Sequence, residues 1–284
     1  MATMSLCMIV KNEGARLARC LESAVGIVEE IVIVDTGSTD DTGAVAARFG
    51  AKMSSFDFRV PDFSGARNQS LARASGDWVL VLDADEILTA AAPAAVRALI
   101  ELGEDVGYVV QRRNLRPPAT EVLTDYAVRL FPNHPNHRYR GRVHETIDGA
   151  ILANGRQIRT SHVTIDHILP PDDGQALEKS RFYLGILEQE LALDPENVDR
   201  LAFRRAELHK LGLLDEATQT AERIASIAPD DATNHLHVGL YRLMHHHDAA
   251  GAERAFRRAL ALRPNDERAL AYLRALPGKI GEIS

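Results

Sequence analysis

The run VLVLDADEIL, residues 79–88, stays apolar until it reaches Asp83, Asp85 and Glu86, three acids separated only by Ala84. Carboxylates gathered at the buried end of a strand lose hydration and repel one another, a cost of several kcal/mol unless a cation offsets it. Asp83 and Asp85 stand at i and i+2, so a turn after the strand lets them converge on one point. Hard oxygen donors in that arrangement suit Mg2+ or Mn2+, which proteins hold through one or two carboxylates together with a substrate's phosphates. A solvated loop in which Asp85 or Glu86 caps the next helix is the plainer alternative. Two further polar clusters close apolar runs in the same way, KNE at 11–13 and DTGSTDDT at 35–42.

The elements that must position these clusters are legible from periodicity. LCMIV (6–10), EIVIVD (30–35), AKMSSFDF (51–58) and DWVLVLD (77–83) read as strands. GARLARCLESAV (14–25), TDDTGAVAARFG (39–50) and FSGARNQSLARASG (63–76) carry apolar residues at helical spacing. Apolar strands alternating with helices predict an α/β domain with a mainly parallel sheet covered on both faces. Ligands of such sheets bind beyond the carboxyl ends of the strands, and the three polar clusters fall there. Farther on, TAAAPAAVRALIEL (89–102) predicts a helix with Pro93 in its first turn, and GYVVQRRN, YAVRLFP, GRVHETI and TIDHIL predict strands.

From about residue 174 the pattern is helical only and repeats itself. Pro195, Pro229 and Pro264 recur at spacings of 34 and 35 residues. Gly212, Asp215, Glu216, Ala217 and Pro229, and then Gly239, Ala252, Phe256, Ala259 and Pro264, fit a tetratricopeptide pattern, with one residue inserted at HHHD (245–248). The predicted domains are therefore 1–172 and 173–284, with PPDDG (170–174) as the hinge. His245, His246 and His247 lie at a turn between repeat helices, where a solvated turn is a better account than a metal site.

Composition excludes several classes. The 284 residues are 45% hydrophobic and 26% charged, as in an ordinary globular protein. A net charge of -7 argues against nucleic acid held through its phosphates, although RRNLR (112–116) and HRYRGR (137–142) are candidate local anion contacts. With two cysteines, Cys7 and Cys20, no signal-peptide pattern and no apolar run long enough to span a bilayer, a reduced cytoplasmic setting with at most peripheral membrane contact is expected.

Taken in order, MIVKNEGARLARCLESAV, EIVIVDTGSTDDT and ARNQSLARASGDWVLVLDADE resemble the nucleotide-sugar half of family-2 glycosyltransferases, which have the GT-A fold. The likeness is tight over residues 5–90 and loose over 90–170. With the repeats, the chain resembles bacterial members that carry tetratricopeptide repeats behind the catalytic domain. The resemblance implies a Rossmann-like GT-A domain followed by an all-α repeat domain, and an inverting, metal-dependent transfer of a hexose from a nucleotide sugar. It implies that Asp83 lies near the donor ribose and that Asp85, with Asp83 beside it, ligates Mn2+ or Mg2+ on the diphosphate. Asp35 would accept a hydrogen bond from the base, favouring uracil, with Lys11, Asn12 and Glu13 lining the mouth beside it. Arg67 would point to the sugar diphosphate, and Lys179 and Arg181 would close over the phosphates. His167 matches a histidine that completes the metal shell or contacts the diphosphate in several such enzymes, but HILPPDDG departs from the Gly and aromatic that commonly follow it. For the general base, Glu145 in GRVHETI is the candidate, with His144 positioning it or touching the donor phosphate, and Asp125 in TDYAVRLF is its competitor. Each residue also has a plain structural account: Glu13 and Asp40 as helix caps, Asp35 in an Asx-turn, Arg67 on a solvated helix face and His144 packed in a sheet.

Two other functions remain at this point. A sugar nucleotidyltransferase would want a glycine-rich basic loop after the first strand, where VKNEGARLARC offers one glycine. A repeat scaffold with a catalytically impaired transferase domain is the non-enzymatic alternative. The acceptor, a glycan, a lipid-linked or lipopolysaccharide-core sugar or a protein, is not encoded in any motif, and the repeats suit a protein partner or a homodimer.

Overall fold

The computed structural model describes residues 2–116, 120–170 and 174–276. The chain divides into two compact units, Met1–Asp172 and Asp173–Ser284. Of the hinge expected at 170–174, residues 171–173 lie outside the described residues.

In the first unit the strands are β1 (Met4–Val10), β2 (Glu30–Asp35), β3 (Lys52–Ser55), β4 (Trp78–Val81), β5 (Glu86–Leu88), β6 (Val106–Arg116), β7 (Thr120–Pro132) and β8 (Gln157–Ile168). The helices are α1 (Gly14–Ala24), α2 (Thr42–Arg48), α3 (Phe63–Leu71), α4 (Ala92–Glu101) and α5 (Asp148–Ala153). They form one mixed sheet in the order β3-β2-β1-β4-β7-β6-β8-β5. The first four strands are parallel, and β7 joins them antiparallel to β4. Helix α1 turns Leu17, Cys20, Leu21 and Ala24 inward at three- and four-residue spacing. Those residues pack with Met4, Leu6, Met8, Ile33, Leu80 and Leu82 on one face of the sheet. The opposite face buries Cys7, Val32, Val79, Val81 and Phe131 with Leu71 and Ile151. Each fully buried Leu, Ile or Phe contributes roughly 1.5–3 kcal/mol, so both faces favour this register. The carboxyl ends of β1, β2 and β4 thereby share one edge.

One predicted strand is absent: GRVHETI (141–147) is a loop closed by an isolated bridge between Arg140 and Thr146. His144 has a φ of 50° there, a left-handed conformation that a strand does not contain. The turn carries Glu145 inward without the alternation that would otherwise set His144 and Glu145 on opposite faces.

At the other end of the parallel strands, Glu30 accepts hydrogen bonds from Ser5 Oγ (2.5 Å), Lys52 Nζ (2.5 Å), Ser75 N (2.7 Å) and Ser75 Oγ (3.0 Å). Burial pushes its carboxyl up, but these donors outweigh it and hold it at about 2 against an ordinary 4.5. A depressed carboxyl contributes stability that is fully present above about pH 4.5 and lost as the pH falls toward about 2. Glu30→Gln should therefore lower stability at pH 7 by about 1–3 kcal/mol, and urea midpoints should show the gap to wild type narrowing as the pH drops below 4.5.

The second unit is helical: α6 (Gly174–Leu193), α7 (Val198–Lys210), α8 (Leu214–Ile227), α9 (Ala232–His246), α10 (Ala249–Leu262) and α11 (Glu267–Ala275). The recurring proline has a local logic. It follows the end of one helix, and two residues later a capping side chain opens the next. Asn197 accepts from Arg200 N, Asp231 from Thr233 N, and Asp266 from Arg268 N and Ala269 N. Gly239 of α9 lies under the Phe256 ring of α10, which a Cβ would meet at 2.4 Å. Gly239→Ala is expected to force α9 and α10 apart and cost about 1–3 kcal/mol, read as a lower melting transition of the helical unit. The three histidines end α9: His247 is its left-handed cap, His246 Nε2 lies 2.9 Å from Thr218 Oγ1, and His245 packs on Tyr241 and His209. Among the described residues, no helix is long and apolar enough to cross a membrane.

Candidate active site

The polar edge of the sheet is built by three loops. After β1, Asn12 takes a φ of 56°, which asparagine tolerates better than most residues. There its N–H donates to Ser38 Oγ (2.9 Å) and its Oδ1 accepts from Thr39 N (2.8 Å). Gly14 N donates to Asp40 Oδ2 (3.0 Å), and a Cβ on Gly14 would collide with Asp41 Oδ1 at 1.7 Å. The KNE and DTGSTDDT loops are thus laced together, Asp40 capping α1 while Glu13 makes no side-chain cap. Asp35 closes an Asx-turn, its Oδ1 accepting from Gly37 N, Ser38 N and Ser38 Oγ. Lys11 is exposed beside them.

After β4 the chain turns through Ala84 and Asp85 and re-enters the sheet at Glu86. Asp83 Oδ1 accepts from Arg67 Nη2 (2.8 Å) and Oδ2 from Arg129 Nη2 (2.8 Å). Arg67, buried rather than on a solvated face, also donates from Nε to Glu145 Oε1 at 2.6 Å. Its neighbour Asn68 clamps the Tyr139 backbone through Nδ2 to the carbonyl (3.0 Å) and Oδ1 from the amide (2.8 Å). That clamp holds the loop bearing Glu145 against α3. Burial pushes the Asp83 carboxyl up, but Arg67 and Arg129 outweigh it and hold it well below the usual carboxylate range. Burial raises Tyr139 to about 12, so its hydroxyl stays protonated at neutral pH. Arg67 Nη1, Arg129 Nε and Tyr139 Oη are buried polar atoms without a hydrogen-bond partner among the described residues.

On the other side of the turn, β5 pairs with β8 so that Glu86 faces His167. Asp85 Oδ2 then lies 3.5 Å from His167 Nε2. Asn114 Nδ2 donates to Leu123 O (3.0 Å) and Asp125 Oδ2 (3.1 Å), both acceptors only, so its Oδ1 must accept from His167 Nδ1 at 2.6 Å. With a proton on Nδ1 serving Asn114, Nε2 is the ring nitrogen of His167 that faces Asp85. Asp125 is gripped by Arg112 through Nε (2.7 Å) and Nη2 (2.9 Å). Burial raises its carboxyl, and the Arg112 and Asn114 hydrogen bonds overcome this and lower it. Burial also raises Glu13, with the carboxylates of Asp85 and Asp83 adding to the rise against Arg16, which ties Glu13 electrostatically to the same site.

Several expectations shift. RRNLR is not a free anion patch, since Arg112 pairs with Asp125 and Glu86 and Arg113 with Asp166. In HRYRGR, Arg138 serves backbone carbonyls and Arg142 Nε donates to Pro61 O (2.8 Å). Both oxygens of Asp83 are taken by guanidinium groups, leaving Asp85 and His167 as the pair with facing donor atoms. Among the described residues, no group of three or more His, Cys, Asp or Glu side chains could hold a metal by itself. Lys179 and Arg181 belong to α6 in the second unit, both exposed, with Lys179 Nζ 5.5 Å from the centre of the Tyr183 ring. Arg129, Asn114 and Tyr139 were not foreseen as site residues. Arg129 had a signal: a charge inside the apolar run YAVRLF demands a buried counter-ion.

The family model described as glycosyl transferase family 2 matches residues 5–150. A TPR repeat-containing protein of Synechococcus elongatus is 43% identical over 157 residues, covering 55% of this chain and 38% of that protein. The SPbeta prophage-derived glycosyltransferase SunS of Bacillus subtilis is 26% identical over 229 residues, covering 76% of this chain and 51% of its own length. The chain thus spans about half or less of these curated relatives. Among solved structures, S. aureus TarS 1-349 in complex with UDP-GlcNAc has a TM-score of 0.53 at 14% identity, covering 91% of both chains. At that identity the likeness is one of fold.

Proposed function

This chain belongs to glycosyl transferase family 2, and on that premise we propose that it transfers a hexose from a nucleotide sugar, a UDP-sugar, to an acceptor hydroxyl with inversion at the anomeric carbon. The observation that carries this reading is the ion-pair chain Asp83–Arg67–Glu145, with contacts of 2.8 and 2.6 Å. It joins the acid turn to the candidate base through one buried cation. Asp35 would receive the base, Lys11, Asn12 and Glu13 would border it, and Asp83 would stand near the ribose. Arg67 is suited to the diphosphate because its Nη1 is a buried donor without a partner among the described residues.

The donor set fits a divalent cation. In the network of Asp83, Asp85, Glu86, Asp125 and Glu145 with Arg67, Arg112 and Arg129, five carboxylates against three guanidinium groups leave two negative charges. The oxygen of Asp85 and the lone pair of His167 Nε2 would hold Mn2+ or Mg2+, the remaining ligands coming from phosphates and water. When bound, such an ion neutralises charge developing on the leaving diphosphate. Arg67 adds positive charge to the same end without moving a proton. Among the described residues Glu145 is engaged through Oε1 alone, and Oε2 would take the proton of the acceptor hydroxyl, with His144 beside it in the loop. Asp125 has both oxygens held by Arg112 and so offers no free oxygen to the acceptor.

Lys179 and Arg181 as phosphate contacts rest on the sequence resemblance alone. A glycan, a lipopolysaccharide-core sugar or a protein would be the acceptor, and the helical unit would recruit it or a second copy of the chain. The test is calorimetric titration with UDP, GDP and TDP, each with Mn2+ and with EDTA. Metal-dependent binding of UDP alone is expected, and binding of none of the three would overturn the reading.

A further inference from the structure

Of the three acids in DADE, Glu86 is the one with no exposure to solvent. Its carboxylate makes three hydrogen bonds. Oε2 accepts from the backbone N–H of Asp83 (2.9 Å), and Oε1 accepts from Arg129 Nη2 (2.7 Å) and Arg112 Nη1 (3.1 Å). The same Arg129 nitrogen also donates to Asp83 Oδ2. Glu86 therefore holds Asp83 twice, once through its backbone and once through the cation on its side chain. Through Arg112 it also reaches Asp125. Its own backbone pairs with His167, and Ile168 N donates to Asp85 O at 2.9 Å, so the residue that fixes Asp83 also sets the register of Asp85 against His167.

A buried ion pair is a poor device for stability alone, because apolar residues of similar volume often do as well or better. What it provides is one arrangement of charged groups. We propose that Glu86 is the positioning residue of the donor site, fixing the Asp83–Asp85 turn and the guanidinium groups around it in the geometry that receives a metal-bound nucleoside diphosphate. This rests on the donor reading above. Glutamine at this position has the same shape but fails in either orientation. With its NH2 in the place of Oε2 it meets the Asp83 N–H, and in the place of Oε1 it meets two guanidinium groups. Aspartate keeps the charge that neutralises the arginines but is one methylene too short to reach both Asp83 N and the arginines.

The test is titration of the full chain with UDP, in Mn2+ and in EDTA, for wild type, Glu86→Gln and Glu86→Asp, with circular dichroism to establish folding. The Mn2+-dependent gain in affinity should fall by about tenfold or more in both variants, with a smaller loss in EDTA, where only the nucleotide contacts of Asp83 and the guanidinium groups are disturbed. A general loss of structure would lower both numbers together, so the gap between them reports positioning. If Glu86→Gln fails to fold, Glu86→Asp alone decides. A folded variant that keeps the full Mn2+ gain overturns the role of Glu86 and leaves the donor reading standing. A wild-type chain without any Mn2+ gain overturns that reading, and this proposal with it.

Discussion

Asp85→Ala is expected to abolish the Mn2+-dependent part of UDP binding, weakening it by about 100-fold or more while affinity in EDTA hardly changes. The expectation follows from how few protein donors the turn offers. Asp83 is already neutralised by Arg67 and Arg129, so it cannot replace the lost carboxylate without giving up both arginines. His167 would be left as a single ligand, its Nε2 lone pair facing an empty methyl. Stability should move little, because among the described residues the Asp85 side chain has His167 as its one partner, at 3.5 Å. The control is His167→Ala, which should give a smaller loss in the same direction. Equal affinity for UDP with Mn2+ in wild type and Asp85→Ala would remove Asp85 from the metal site.

How far this was legible in the sequence depends on whether a residue acts within its own element or across elements. The parallel strands and the acids at their ends are local features: β2 ends on Asp35, and the apolar runs of β1 and β4 are followed within two residues by Lys11 and Asp83. The repeat was legible because each Pro and its capping Asn or Asp recur together. What stayed hidden lies between strands distant in sequence. Arg112 meets Asp125 because β6 and β7 put them directly opposite, and Asn114 meets His167 because β6 and β8 do. No spacing within one segment announces such pairs. The loop at 141–147 was misjudged for a related reason. Val143 and Ile147 are buried and give the apolar texture of a strand, whereas the left-handed His144 and the clamp from Asn68 to Tyr139 that shape the loop leave no periodic trace. The buried Glu86 looked like one more solvated acid, since its partners Arg112 and Arg129 both arrive from β6 and β7.

Glu145→Gln should separate donor binding from chemistry more sharply than any other substitution. The amide oxygen of glutamine can still accept from Arg67 Nε, where Glu145 Oε1 now accepts at 2.6 Å, so Arg67 keeps its contact to Asp83 and the donor end is preserved. UDP affinity in Mn2+ should accordingly remain within about threefold of wild type, since each of these surviving hydrogen bonds contributes about 1 kcal/mol or more. Turnover should fall by about 100-fold to 10,000-fold, the usual contribution of a positioned general base, because an amide cannot take the proton of the attacking hydroxyl. Asp125→Asn provides the contrast. Asparagine there keeps one acceptor for Arg112 but removes the charge that Arg112 neutralises, leaving Glu86 to pair with both Arg112 and Arg129. Its expected effect is a modest loss of both donor affinity and turnover, through the shared arginines, and donor hydrolysis in the absence of acceptor is a convenient readout for both variants. If Asp125→Asn instead collapses turnover with donor affinity intact, and Glu145→Gln does not, the proton passes to Asp125 and Glu145 becomes the anchor that orients Arg67.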